Sequence, residues 1–178
     1  MRALPRALEE ALFRYVEGAE HDPVVRARVK AVVRAGMRAA IVEKERTGGD
    51  RLYRHLRSLA LRWARWRAPR LARRFAIDPA RMDQLAEVQD WEDRVLDVTG
   101  HWPVREATVA VKHETACPYA DLAARDPRIC TDLVHALETE TFRAIQPRYR
   151  LVPLDRLLSR GDTHCVFRHE LAPPSDGR

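Results

Sequence analysis

The sequence predicts an α+β protein, with a helical N-terminal half packed against a small antiparallel sheet and two helices in the C-terminal half. Two observations carry that expectation. Up to about residue 98, apolar residues recur at helical spacing between capping signals; from Val104 onward the apolar pattern alternates, as in strands. The expected organisation is a helical lobe over 1–103, a mixed lobe over 104–171 carrying every cysteine, and a frayed tail over 172–178, forming one compact domain overall.

The first helix is read over Leu4 to Gly18, with Leu4, Leu8, Ala11, Leu12, Tyr15 and Val16 at helical spacing. Asp22 is a good N-cap and Pro23 suits a first helical position, so a second helix runs from Pro23 to about Thr47 and stops at Gly48-Gly49. Asp50 starts a third, from Arg51 to about Ala68, where Pro69 is expected to kink or break it, with a second piece through Phe75. Trp63 and Trp66 keep the helical spacing of its apolar residues and are therefore read as core. Asp78-Pro79 repeats the start signal for a fourth helix to about Val98, whose acids suit neutralisation of the arginine-rich helix before it. Thr99 to Pro103 reads as a break.

A strand is expected from Val104, with Ala107, Val109, Val111 and His113 on one side; continuing the alternation puts His113, Thr115 and Cys117 on the inward face. Pro118 opens a short helix to Arg125, and Asp126-Pro127 caps another from Arg128 to about Gln146. Arg150 to Ser159 reads as a strand that Pro153 confines to an edge or bulge. Arg160-Gly161-Asp162 is a turn, and Thr163 to Leu171 is a strand with Cys165, Phe167, His169 and Leu171 on one face.

Composition narrows the function classes. No apolar run approaches the roughly 20 residues of a membrane span, and the N-terminus lacks a continuous apolar signal region. Three cysteines are an odd count without a dense framework, which fits a reducing compartment and a cytoplasmic location. The net charge of +6 is localised: nine arginines face one acid between Asp50 and Ala76, whereas elsewhere 23 basic residues meet 25 acids. A basic run of this kind attracts nucleic acid, but a solvated helix face is the commoner use, so nucleic acid is the weaker expectation; a membrane partner is not expected, and homo-oligomerisation stays open.

The chemistry concentrates between Thr108 and Leu171. Cys117 precedes Pro118 at a helix start, and Cys130 falls in the first turn of the helix after Asp126-Pro127, settings that favour a thiolate. His113 and His164 are candidate bases, and Glu114, Asp132, Glu138 and Asp162 candidate carboxylates. The same cysteines with a histidine also make a zinc ligand set, but no CxxC or HxxxH pair is present, so no metal and no other cofactor is assigned.

Cys117-Pro118, then Cys130-Thr131-Asp132, then Gly161-Asp162-Thr163-His164-Cys165-Val166-Phe167 resembles the L-2-amino-thiazoline-4-carboxylic acid hydrolase family, over about residues 108–170. The closing motif is also similar to the small-molecule-binding domains named after vinyl reductase. The chain lacks the further cysteine that many members carry shortly before Cys130. The resemblance implies a small-molecule substrate and hydrolysis of a C–N bond in a cyclic amidine-like amino acid. On that reading Cys117 is the nucleophile, Asp132 or Asp162 holds the amidinium and His113 moves protons. Cys130, Cys165 and Glu114 complete the pocket, and Arg168 or Arg148 binds the substrate carboxylate. The alternative is a non-catalytic module that holds a small ligand or metal in the same pocket.

Overall fold

The computed structural model describes residues 6–153 and 156–173; Leu4 and the tail from 174 on lie outside the described residues. Six α-helices and four strands follow the order α1 (Arg6–Gly18), α2 (Pro23–Thr47), α3 (Arg51–Arg74), α4 (Met82–Leu96), β1 (Thr99–Arg105), β2 (Val109–Ala116), α5 (Ala120–Arg125), α6 (His135–Ile145), β3 (Tyr149–Pro153) and β4 (Cys165–Leu171). A π-helical segment, Ile129–Val134, leads directly into α6, and a 3-10 turn, Leu158–Arg160, precedes β4. The α+β expectation therefore holds.

Local chemistry sets most helix ends. Asp22 accepts the backbone N–H groups of Val24 at 2.8 Å and Val25 at 3.2 Å, and Gly48 closes α2 in the left-handed region at φ 66°. Pro69 does not interrupt α3, which continues to Arg74. Ala68 and Leu71 on either side of it are wholly buried, so packing across the proline offsets the hydrogen bond it cannot make. Trp63 and Trp66 lie 4.7 Å apart against Phe13 of α1, as the core reading requires. The fourth helix begins later than expected. Asp78 accepts from Ala80 N–H at 2.9 Å and so makes a turn, while the Met82 N–H is taken by Ala107 O at 2.7 Å.

The sheet is antiparallel throughout, in the order β1-β2-β4-β3. The stretch read as a break, Thr99 to Pro103, is most of β1, so a lobe boundary at 103/104 would cut a strand. The pairing of β1 with β2 shifts register on both sides of Gly100-His101, which is why period-two alternation is missing there. A Cβ on Gly100 would stand 2.6 Å from His113 O, so the close approach of the two strands needs glycine. β3 is an edge strand, as Pro153 implied.

Ala110 and Lys112 are the fully buried residues of β2, and they face α4. The inward row is therefore Ala110, Lys112 and Glu114, and His113 points to the outer face. Alternation was read correctly but assigned to the wrong side, because a buried lysine looks polar in sequence. On β4 the expected row of Cys165, Phe167, His169 and Leu171 is the buried one.

Candidate functional site

The space between the inner sheet face and α3, α4 and α6 holds an unusual number of ionisable groups. Arg67 of α3 is buried; it bonds Glu92 of α4 and reaches Thr141 Oγ1 of α6 at 2.9 Å. Lys112 of β2 bonds Asp93 and, at 3.1 Å, Asp90. Burial alone would lower the Lys112 pKa, but these two carboxylates outweigh it and the lysine stays charged. Glu92 is the one α4 acid that neutralises the arginine-rich helix; Asp90 and Asp93 serve the sheet.

Deeper in the same layer, Tyr149 donates its hydroxyl hydrogen to Glu138 Oε1 at 3.4 Å and stands 2.9 Å from His169 Nδ1. The direction of the Tyr149–His169 bond follows the tautomer of the ring, whose buried Nε2 is left without a hydrogen-bond partner among the described residues. Burial, with help from Lys112, pushes the His169 pKa down to about 3, so the ring is neutral. Burial also holds Glu138 well above the carboxylate range. Glu138 was a candidate carboxylate; His169 was read only as a core position, because nothing in sequence distinguishes a buried neutral histidine from a core aromatic.

The thiols lie at the other end of the inner face. Glu114 of β2 pairs directly with Cys165 of β4. Cys117 follows β2 in the loop before α5, and Cys130 sits in the π-helical segment. All three cysteines are free thiols. Burial raises Cys117 to about 12, and Glu114, Cys130 and Cys165 add to the rise. Cys130 and Cys165 are each pushed to about 11 by burial, with Glu114 again contributing. Glu114 itself is raised to about 8 by burial and by Asp93. Four acidic groups thus feel one another's charge. Lys112, the cation that reaches Glu114, is already bonded to Asp90 and Asp93.

The segment before β4 covers this cluster. The Leu158 N–H bonds Cys165 Sγ at 3.2 Å, Ser159 opposes the rise in the Cys130 pKa, and Asp162 Oδ2 accepts the Leu157 N–H at 2.8 Å. On the far side, Asp126 holds the entry to the π-helical segment. It is buried, pairs with Arg128 and Lys44, and is pulled down to about 2 chiefly by Arg128. Tyr53 of α3 fastens the same corner by bonding Arg128 O. The wide π turn presents Cys130 inward; π segments often mark functional positions.

The expected site residues therefore separate. Cys117, Cys130, Cys165 and Glu114 come together. The thiolates expected at the two helix starts do not form: the backbone N–H of Tyr119, at the start of α5, pulls the Cys117 pKa down, but burial outweighs it there and also dominates at Cys130. His113 faces outward in a row of imidazoles, 5.3 Å from His101 and 4.7 Å from His164 between ring centres, so it does not share a face with Glu114. Asp132 takes the Thr131 hydroxyl at 2.7 Å beside Tyr53. Asp162 caps the covering turn, as ordinary turn chemistry would have it. Arg168 is exposed and paired with Glu170, and Arg148 bonds Ala172 O at 3.0 Å. Among the described residues no group of three or more His, Cys, Asp or Glu side chains is spaced to hold a metal ion, and no helix is long and apolar enough to cross a membrane. Compared with known proteins, the chain matches no family model, no curated protein and no solved structure.

Proposed function

We propose that the chain hydrolyses a C–N bond of a small cyclic amidinium, of the 2-amino-thiazoline-4-carboxylate type, at the Cys117–Glu114 cluster. The observation that carries this reading is the cluster's charge deficit: a half-buried carboxyl and three thiols, all with raised pKa values, beside a lysine already neutralised by aspartates. A flat amidinium suits such a place. It brings the missing positive charge, N–H donors for a carboxylate and apolar faces for the surrounding side chains.

A bound amidinium lowers the Glu114 pKa so that its proton leaves to solvent, and the resulting carboxylate can accept the thiol proton of Cys117. The sulfur then forms a bond to the central amidine carbon while the C=N electron pair moves onto nitrogen. Glu114 returns the proton to the ring nitrogen as the C–N bond breaks; water then adds to the same carbon, the bond to the Cys117 sulfur breaks, and a water proton passes through Glu114 back to the thiolate. Glu114 takes the proton-shuttling part assigned to His113, and the amidinium-holding part assigned to Asp132 or Asp162.

A second reading, a module that binds the same kind of cation without turning it over, is favoured by the height of all three thiol pKa values. Incubation with L-2-amino-thiazoline-4-carboxylate, followed by mass spectrometry, separates the two. Addition of one water by wild type, with a loss of at least about 100-fold in Cys117→Ala and in Glu114→Gln, supports hydrolysis. Saturable binding without a mass change supports the binding module. Full turnover by Cys117→Ala removes the nucleophile assignment.

A further inference from the structure

The arginine-rich helix α3 takes no part in the proposed hydrolysis. Of its arginines, Arg67, Arg70, Arg74, Arg65 and Arg54 have acidic partners, whereas Arg57 and Arg62 make no side-chain hydrogen bond or ion pair among the described residues. Arg57 stands on the rim of a groove of about 450 Å³ between α3, α6 and the covering turn. Arg143 and Arg160 complete that rim, and Leu61, Leu151 and Leu157 give it apolar walls. The Arg160 side chain has no partner among the described residues, and Arg143 uses Nε on Tyr149 O at 3.2 Å, leaving its outer N–H groups to the groove.

The other titratable groups in the groove do not cancel this charge. Glu140 is taken by Arg65. His135 is held neutral by burial, with its pKa lowered to about 4. The groove therefore offers a positive rim over walls in which leucines alternate with Thr131, Thr139 and His135, in a volume typical of small-ligand sites. Its walls carry no Phe, Tyr or Trp, the platforms on which single-stranded nucleic acid stacks its bases. A neighbouring hollow shares Arg57 and Leu61 and is ringed by further arginines, which extends the positive field beyond the rim.

We propose that this groove binds a small organic oxyanion, a phosphate or carboxylate carried on an apolar body, through Arg57, Arg143 and Arg160. Guanidinium groups grip either head in a forked fashion, and the leucine walls take the body. The proposal does not rest on the hydrolase reading, and its readout is binding alone.

Isothermal titration with phenyl phosphate, phthalate and inorganic phosphate tests it, on wild type and on Cys117→Ala. Phenyl phosphate or phthalate should bind both proteins at sub-millimolar concentration, inorganic phosphate at least tenfold more weakly. Arg57→Gln and Arg160→Glu should each weaken binding about tenfold, and Arg51→Glu, an exposed α3 arginine outside the groove, should leave it unchanged. Preference for phenyl phosphate identifies phosphate as the natural head, and preference for phthalate identifies carboxylate. Absence of binding by wild type at millimolar probe overturns the proposal. So does an equal loss in Arg51→Glu, which would mean a diffuse field, or equal affinity for inorganic phosphate, which would mean that the apolar walls play no part.

Discussion

Lys112 and Glu114 sit two residues apart on the same inward face of β2, yet they belong to opposite kinds of environment. Around Lys112 the buried charges have counter-charges: Asp93 and Asp90 meet the lysine, and Glu92 meets Arg67 within the same layer, and although burial still raises the Asp93 and Glu92 pKa values, Lys112 and Arg67 oppose that rise. Around Glu114 the neighbours are the three cysteines and the like charge of Asp93, and burial is answered by proton uptake instead of pairing. A matched cluster is complete without a ligand and holds elements together. An unmatched one keeps its electrostatic cost until something positive enters, which is a property of a site.

The sharpest way to break the contrast is to unmatch the matched side. Lys112→Met leaves Asp93 buried without its cation and should cost about 3–5 kcal/mol at neutral pH, read from the urea midpoint. The loss should shrink on acidification, because a neutral Asp93 needs no partner. A loss below about 1 kcal/mol would show that the lysine is not needed where it lies.

The next test addresses Glu114. Its folded pKa, about 8, stands above its ordinary value of 4.5, so the folded state holds the proton more tightly. That contribution to stability is full below about pH 4.5 and is lost as pH rises through about 8. Wild type should therefore lose stability across that window relative to Glu114→Gln, by about 1.4 kcal/mol for each unit of elevation. Parallel pH profiles for the two proteins would place Glu114 in water. An amidinium ligand that binds at the cluster should flatten the wild-type profile.

The smallest expected effect concerns the cover. Asp162→Ala removes the carboxylate that accepts the Leu157 N–H and should cost about 1 kcal/mol. Iodoacetamide labelling of Cys165 should then quicken several-fold, because the covering turn opens more often. In wild type all three thiols should label slowly at pH 7.5, with rates climbing past pH 10, since burial keeps them protonated. Fast labelling of Cys117 at neutral pH would erase the difference between the two environments.

Much of the fold could be read from local signals. Asp22-Pro23 and Gly48 bound α2 as expected because capping bonds involve residues two to four positions apart. The strand at β1 was missed because its bulged pairing with β2 destroys the alternation on which strand reading depends. The continuation of α3 through Pro69 is not visible in sequence because the burial of Ala68 and Leu71 around the proline, which offsets the bond it cannot make, is a matter of packing. Of the candidate site residues, Cys117, Cys130, Cys165 and Glu114 converge, whereas His113 was placed inward by a period-two argument that gives the rows of a strand but not which row faces the core.

The amino-acid order alone determined the helical half, the change to strands after it, the buried row of β4 and the concentration of thiols in the last third. These follow from periodicity and capping, which act over a few residues. Tertiary structure alone decided that Lys112 turns inward, that His169 is neutral, that the cysteines surround Glu114 and that Arg57, Arg143 and Arg160 share one groove. Such facts depend on desolvation and on partners far apart in the chain. A titratable group's behaviour belongs to the space around it, and that space is enclosed only when α3, α4 and α6 close over the sheet.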